Sequence, residues 1–324
     1  MPVTINGSDG ITNASWTTAT RPSNPVAGQM GYNTDLGFTE VYNSDFAEWV
    51  RREDSVISVS DIDATGGTIL DITTGNISYR VHSFTTTGLN SFVVNSGGGQ
   101  IEYLVVAGGG AGNNGFINSD RITGGGGGAG GLLQGIADVT TGSYQVLVGA
   151  GAIYERAEAA ANSGFPSSLG SFAVAEGGGG GGKQSRSGRD GGSGGGAGSN
   201  EETVLTSSNN RRLLSIGTQN QGNSGGLGKD RHGDDGNINT GGGGGGAGGA
   251  GGTPSAGLGL EVSITGSSVV YATGGEGGDT DSGNGANGTP NTGNGGGGAQ
   301  QGSSTSITGG DGGSGIVIVR YRIG

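Results

Sequence analysis

The sequence predicts a mainly β and irregular protein: a small N-terminal β module followed by a β-sheet-closed bundle of polyglycine II helices. Three observations lead there. Glycine supplies 82 of 324 residues, where an ordinary chain carries ~7%. The glycines gather in runs at 124–131, 177–182, 191–198, 241–252, 274–278, 293–298 and 309–315, and apolar, strand-like pieces lie between them. No segment carries a long amphipathic helical period. The best attempt, IYERAEAAAN at 153–162, gives at most roughly two or three turns.

Residues 1–58 have ordinary composition and form the expected β module. Turn chemistry breaks them at Arg21-Pro22-Ser23-Asn24-Pro25, at Gly28 and at Asn33-Thr34-Asp35-Leu36-Gly37. FTEVYNSDFAEWV (38–50) alternates as a strand and its return should. EDSVISVSDI (53–62) reads as a linker or edge strand. Residues 59–100 form a strand region leading into the bundle, with YRVHSFTTTG (79–88) and LNSFVVN (89–95) rich in β-branched and aromatic residues. The glycine-rich domain, 101–324, opens on IEYLVVAGGG (101–110), a strand that runs directly into glycine. Further strand pieces follow: SYQVLVGAGA (143–152), SFAVAEGGG (171–179), SSVVYATGG (267–275) and GIVIVRYRI (315–323). The segments 101–108 and 315–322 bracket every glycine run, so they are expected to pair in one sheet and close the domain.

A Gly/Ser linker is the simplest account of an isolated glycine tract. Repeated tracts punctuated by strands ask for another. Collagen needs glycine strictly at every third position, and GGGGGGAGGAGG (241–252) has no such register. Polyproline-II-type helices have ~3 residues per turn and no internal hydrogen bonds, so their N–H and C=O groups must find partners elsewhere. Packed side by side, such helices supply those partners to one another. Close approach then demands glycine, with only alanine interspersed. Glycine loses the most backbone freedom on ordering, so a lone helix is unstable and only a lattice of several neighbours can offset the cost.

Net charge is −12 with a pI near 4.5, which argues against a nucleic-acid partner, since phosphate binding needs clustered Lys and Arg. With no cysteine, disulfides and thiolate metal sites are excluded. MPVTINGSDGITNASW has no basic-then-apolar signal pattern, and no apolar run reaches the ~20 residues of a membrane helix; synthesis in a cytosol without export is the expectation. GGGGGGKQ (177–184) places Gln184 where a phosphate-binding loop needs Ser or Thr. GGEGGDTD (274–281) approaches a calcium repeat, but Asp281 stands where a large apolar residue belongs and there is no tandem copy. His82 is read as a structural strand residue, and His232, beside Asp234 and Asp235, as part of a solvated turn. No catalytic constellation, metal site or cofactor site is expected, so the chain is read as a non-enzyme.

The stretches YRVHSFTTTG (79–88), SFVV (91–94), IEYLVVAGGGAG (101–112) and GGSGIVIVRY (312–321) resemble the glycine-rich domain common in phage tail proteins, over roughly residues 66–324. RPSNPVAGQMGYNTDLGFTEVYN (21–43) is similar to a short element of phage tail-fibre and other virion proteins, which implies virion attachment or oligomerisation as the role of the 1–58 module. The resemblance implies polyglycine II helices closed by a sheet. In the tip adhesins of some T-even-type phage fibres, variable loops between such helices contact the host. The corresponding inserts here are 113–123, 152–165, 199–221 and 229–240. They hold the candidate receptor-binding residues Phe116, Arg121, Tyr154, Arg156, Arg211, Arg212 and Arg231, with solvated turns as the alternative reading of the same inserts. The implied function is a structural phage protein, a tail-fibre or adhesin component. Its implied partners are other virion proteins and a host receptor or surface glycan, and it is implied to be a homo-oligomer, a trimer by analogy with fibre proteins. It would be made in the host cytoplasm and released in the virion by lysis. A head-decoration or connector protein, and an ice-binding bundle, are the competing readings.

Overall fold

The computed structural model describes residues 5–6, 10–11, 14–26, 29–43, 48–51, 62–115, 123–155, 160–184, 186–199, 214–229, 239–279, 283–299 and 307–323. The chain divides into two compact units, Met1–Val59 and Ser60–Gly324.

In the first unit, β1 (Ile5–Asn6) and β2 (Gly10–Ile11) form a small antiparallel pair. Strands β3 (Ser15–Trp16), β4 (Met30–Asn33), β5 (Phe38–Asn43) and β6 (Glu48–Arg51) make a sheet in chain order. The expected strand and return over 38–50 are thus β5 and β6. Asn33 Oδ1 accepts from the Asp35 and Leu36 N–H groups (3.0 and 3.2 Å) and shapes the β4–β5 turn. The Trp16 ring lies across Gly31, where a Cβ would fall 2.1 Å from it. The edge of Trp16 meets Trp49, with centroids 4.8 Å apart. Buried Glu40 accepts from Trp16 Nε1 (3.2 Å), Asn33 Nδ2 (2.9 Å) and Arg21 Nε (2.9 Å). Burial works to raise the Glu40 carboxyl, but hydrogen bonds from Arg21, Asn33 and Trp16 outweigh it and hold its pKa below the ordinary range. The 53–61 part of the expected linker or edge strand lies outside the described residues.

The second unit is organised by one sheet. Its strands are β7 (Asp63–Thr65), β8 (Thr68–Thr74), β9 (Ile77–Phe84), β10 (Gly88–Val106), β11 (Leu132–Val148), β12 (Ser167–Leu169) and β13 (Ala173–Ala175). A separate hairpin joins β14 (Leu260–Val262) to β15 (Val269–Tyr271), and β16 (Ile316–Arg322) completes the large sheet. The order is β13-β12-β11-β10-β16-β9-β8, with β7 on β10. The expected pairing of 101–108 with 315–322 is present: β10 and β16 run antiparallel, with Leu104 opposite Ile318 and Val106 opposite Ile316.

Strand β16 is buried on both faces, so it reads as a continuous apolar run rather than an alternation. Val317, Val319 and Tyr321 pack with Phe84, Phe92 and Ile101. Ile316 and Ile318 pack with Leu104, Val106, Leu132 and Tyr271 on the other side. His82, fully buried, has Nδ1 at 2.8 Å from the Gly66 carbonyl and Nε2 at 3.2 Å from the Tyr321 hydroxyl. A carbonyl can only accept, so Nδ1 carries the proton and Nε2 accepts from Tyr321. Burial pushes the His82 pKa below its usual value. The first half of β11, LLQGIADVTT (132–141), was not anticipated as a strand. Gly135 interrupts it, and the ring of Tyr103, its cross-strand partner, occupies the vacant side-chain space.

The glycine segments form the expected lattice, and its threefold period is visible in the hydrogen bonds. In 107–113, the N–H groups of Ala107, Gly110 and Asn113 donate to Gly131, Gly128 and Gly125 (3.0, 2.9 and 3.0 Å). Those of Gly108 and Ala111 donate to Phe165 and Asn162, and those of Gly109 and Gly112 to Gly313 and Gly310. Successive residues thus serve three different neighbours in rotation, as ~3 residues per turn requires. The innermost segment is 124–131, hydrogen-bonded to 107–113, 176–182, 193–196, 242–245, 275–278 and 293–299.

The rule that only alanine relieves glycine is too strict. It holds where neighbours stand on every side. At the rim one position in three faces outward and carries a side chain: Thr273, Glu276 and Asp279 in one segment, Thr308, Asp311 and Ser314 in another. Short segments with few glycines, such as 161–165, 186–191 and 283–289, therefore belong to the lattice. Parts of two inserts do as well: Ser215 O accepts from Gly225 N–H, and Ala161 N–H donates to Gly181 O. The run at 153–162, which had room for at most roughly two or three helical turns, is non-helical in its described residues, and 156–159 lie outside the described residues.

Candidate functional site

The bundle has two different ends. At one end the segments run into the sheet: Ala107 follows β10, Gly131 precedes β11 and Gly315 precedes β16. The connections there include the short described turns around 219–222 and 289–293. Gln221 ties one of them to the sheet side. Its O accepts from Leu132 N–H (3.0 Å), its Oε1 accepts from Glu176 N–H (2.8 Å), and its Nε2 donates to Val174 O (3.2 Å).

At the other end lie the residues flanking the longer connections. Segment 107–113 leads away from the sheet and 124–131 leads back, because their hydrogen bonds step in opposite directions along the chain. The same bookkeeping sends 176–182, 193–199, 222–229, 272–279 and 293–299 outward and returns 239–246 and 307–315. The outer layer is then built from the residues around Asn113, Gly124, Gly182, Ser199, Lys229, Gly241, Gly278 and Ala299. Gly124 N–H donates to Ala299 O (3.2 Å), Gly278 N–H to Gly124 O (2.8 Å) and Gly241 N–H to Gly278 O (2.7 Å).

Side chains lock this layer. Asn113 and Thr123 are fully buried. Asn113 Nδ2 donates to Gly181 O (3.1 Å), and its Oδ1 accepts from Asn114 N–H (2.8 Å). The Thr123 and Ser199 hydroxyls are 2.6 Å apart, and Ser199 N–H donates to Thr123 O (3.1 Å). Lys229 and Thr240 exchange both backbone hydrogen bonds (2.7 and 2.9 Å). Polar residues at these joints satisfy backbone groups that the lattice leaves over at its end. The arrangement can hold the start and finish of several connections in fixed positions on one face. Among the described residues it offers no His/Asp/Glu cluster able to hold a metal ion.

Of the candidate binding residues, only Tyr154 is described. It is half-buried against Ala111, Ala152 and Ala161, and its N–H donates to Asp311 Oδ1 (2.6 Å), so it anchors the base of its connection. Phe116, Arg121, Arg156, Arg211, Arg212 and Arg231 lie outside the described residues, as does His232. The structure adds residues that the sequence reading did not single out. Arg189, Asp190, Leu214 and Ile216 line a hollow of about 590 Å³ on the flank of the bundle. The signal for Arg189 lies in the sequence, where it stands three residues after Arg186 between glycine runs.

Over residues 85–322 the chain matches the glycine-rich domain family, and it belongs to that family. No protein of curated function matches it.

Proposed function

We propose that this glycine-rich domain protein is a structural, non-enzymatic component of a bacteriophage particle, a tail-fibre or adhesin protein that presents host-recognition connections from one end of a rigid bundle. The observation that carries the reading is the shared location of the joints. The described residues flanking 116–122, 156–159, 230–238 and 280–282 all belong to the layer farthest from the sheet, or to the turns adjoining it. A rigid scaffold that gathers variable connections on one face is the usual architecture of a recognition surface. The resemblance of 21–43 and of the two end motifs to phage tail proteins supports the virion setting. In this reading the partners are neighbouring virion proteins and a host receptor or glycan.

The test is to replace residues 200–213, which include Arg211 and Arg212, with a short Gly/Ser connection and measure adsorption of particles carrying the variant. Adsorption should fall at least ~10-fold if a desolvated arginine contact is lost. Unchanged adsorption after this replacement and after the equivalent replacements of 116–122, 156–159 and 230–238 would sink the adhesin reading and favour a head-decoration or spacer protein.

A further inference from the structure

The flank of the bundle carries a second feature, distinct from its end. Segment 186–191 is a rim helix of the lattice. Arg189 N–H donates to Gly180 O (2.8 Å), and the Arg189 and Arg186 carbonyls accept from Gly195 and Gly198 (3.0 Å each). Both backbones are therefore fixed, and the threefold period puts the two exposed arginines on one face, ~9 Å apart. Beside them, Asp190 Oδ1 accepts from Ile216 N–H (2.6 Å), which joins the rim helix to segment 214–218. The hollow between these segments is lined by Arg189, Asp190 and Ser163 on the polar side, and by Leu214 and Ile216, exposed by 51% and 62%, on the apolar side.

We propose that this groove binds an acidic polysaccharide, one with carboxylates recurring along the chain; the proposal rests on the adhesin reading and names its ligand class. The chemistry is specific. Arginine forks suit carboxylates in a bidentate geometry. Asp190 and Ser163 supply an acceptor and a hydroxyl for sugar OH groups. Leu214 and Ile216 offer an apolar wall for the C–H face of a pyranose ring. Arg189 lines the hollow and its Nη2 also reaches the Ala160 carbonyl (3.4 Å), while Arg186 stands beside the lining; two exposed cations in a chain of net charge −12 are too few for duplex phosphates, and the lining has no aromatic platform for bases.

The experiment titrates the full chain with hyaluronan, alginate and polygalacturonate oligosaccharides and, as a neutral control, dextran, by calorimetry at low and raised salt. At least one uronate polymer should bind, more weakly as salt rises, while dextran should not. Arg189→Gln should weaken that binding about tenfold, the equivalent of ~1.4 kcal/mol, and Arg186→Gln/Arg189→Gln should weaken it further. Ile216→Asp should weaken it through the apolar wall, with unchanged thermal midpoints confirming the folds. Absence of binding to all three uronate polymers, or equal binding by Arg189→Gln, overturns the proposal. If the 200–213 replacement then still abolishes adsorption, the adhesin reading survives without the groove. If uronate binding holds but no replacement alters adsorption, the groove stands and the adhesin reading falls.

Discussion

Segments 124–131 and 283–289 share one threefold hydrogen-bond period and obey different sequence rules. The first, GGGGGAGG, stands inside a ring of hydrogen-bonded neighbours and is buried throughout. A Cβ on Gly126 would lie 2.2 Å from Gly275 O, and one on Gly127 2.1 Å from Gly110 O. The second, GNGANGT, stands at the rim, with Asn284, Ala286 and Asn287 exposed. There the side chains are used: Asn284 Oδ1 accepts from Thr308 N–H (3.0 Å), and Asn287 Oδ1 from Asp311 N–H (2.9 Å). Glycine is therefore required by the number of sides on which another backbone stands, and not by the helix itself. Where a side is open, a polar side chain at every third position can bridge to the next segment.

The sharpest way to break this comparison uses one glycine run. A Cβ on Gly244 would fall 2.0 Å from Gly127 O, whereas on Gly249 the nearest atom is 3.6 Å away, an ordinary contact. Gly244→Ala must push two segments apart and leave backbone groups without partners, each costing ~1–3 kcal/mol. A loss of roughly 3 kcal/mol or more is expected in chemical denaturation. Gly249→Ala should change stability by less than ~0.5 kcal/mol. Equal losses would mean that the run is not packed as a lattice. A smaller effect sharpens the rim half of the comparison. Asn287→Ala removes one side-chain acceptor at a wet edge and should cost about 0.5–1.5 kcal/mol. No change would show that the rim asparagines decorate the bundle without bracing it.

The sequence carried the frame of this fold and less of its detail. Pairing of 101–108 with 315–322 was legible because each holds a continuous apolar stretch, Tyr103–Ala107 and Ile316–Val319, the mark of strands buried on both faces. The glycine runs announced the lattice by their number and punctuation. Strand 132–141 escaped because Gly135 breaks its pattern, and its stability comes from Tyr103 across the sheet, a partner that local composition does not reveal. Segments 161–165, 186–191 and 283–289 escaped because glycine content was taken as the signature, when the signature at the rim is a period of three. The same period would have drawn attention to Arg186 and Arg189. The inserts were visible as irregular stretches, but the gathering at one end of the described residues that flank 116–122, 156–159 and 230–238 depends on the alternating direction of the segments, which only the hydrogen-bond register supplies.

Amide hydrogen exchange of the full chain, read at 124–131, tests the central claim most directly. An ordered interior segment, hydrogen-bonded on every side, must open with much of the bundle before it exchanges. Its amides should be protected to the same degree as those of Leu104–Val106 in the sheet, with the rim segment 283–289 exchanging faster. Exchange of 124–131 at the rate of an unstructured glycine linker, while Leu104–Val106 stays protected, would contradict the lattice.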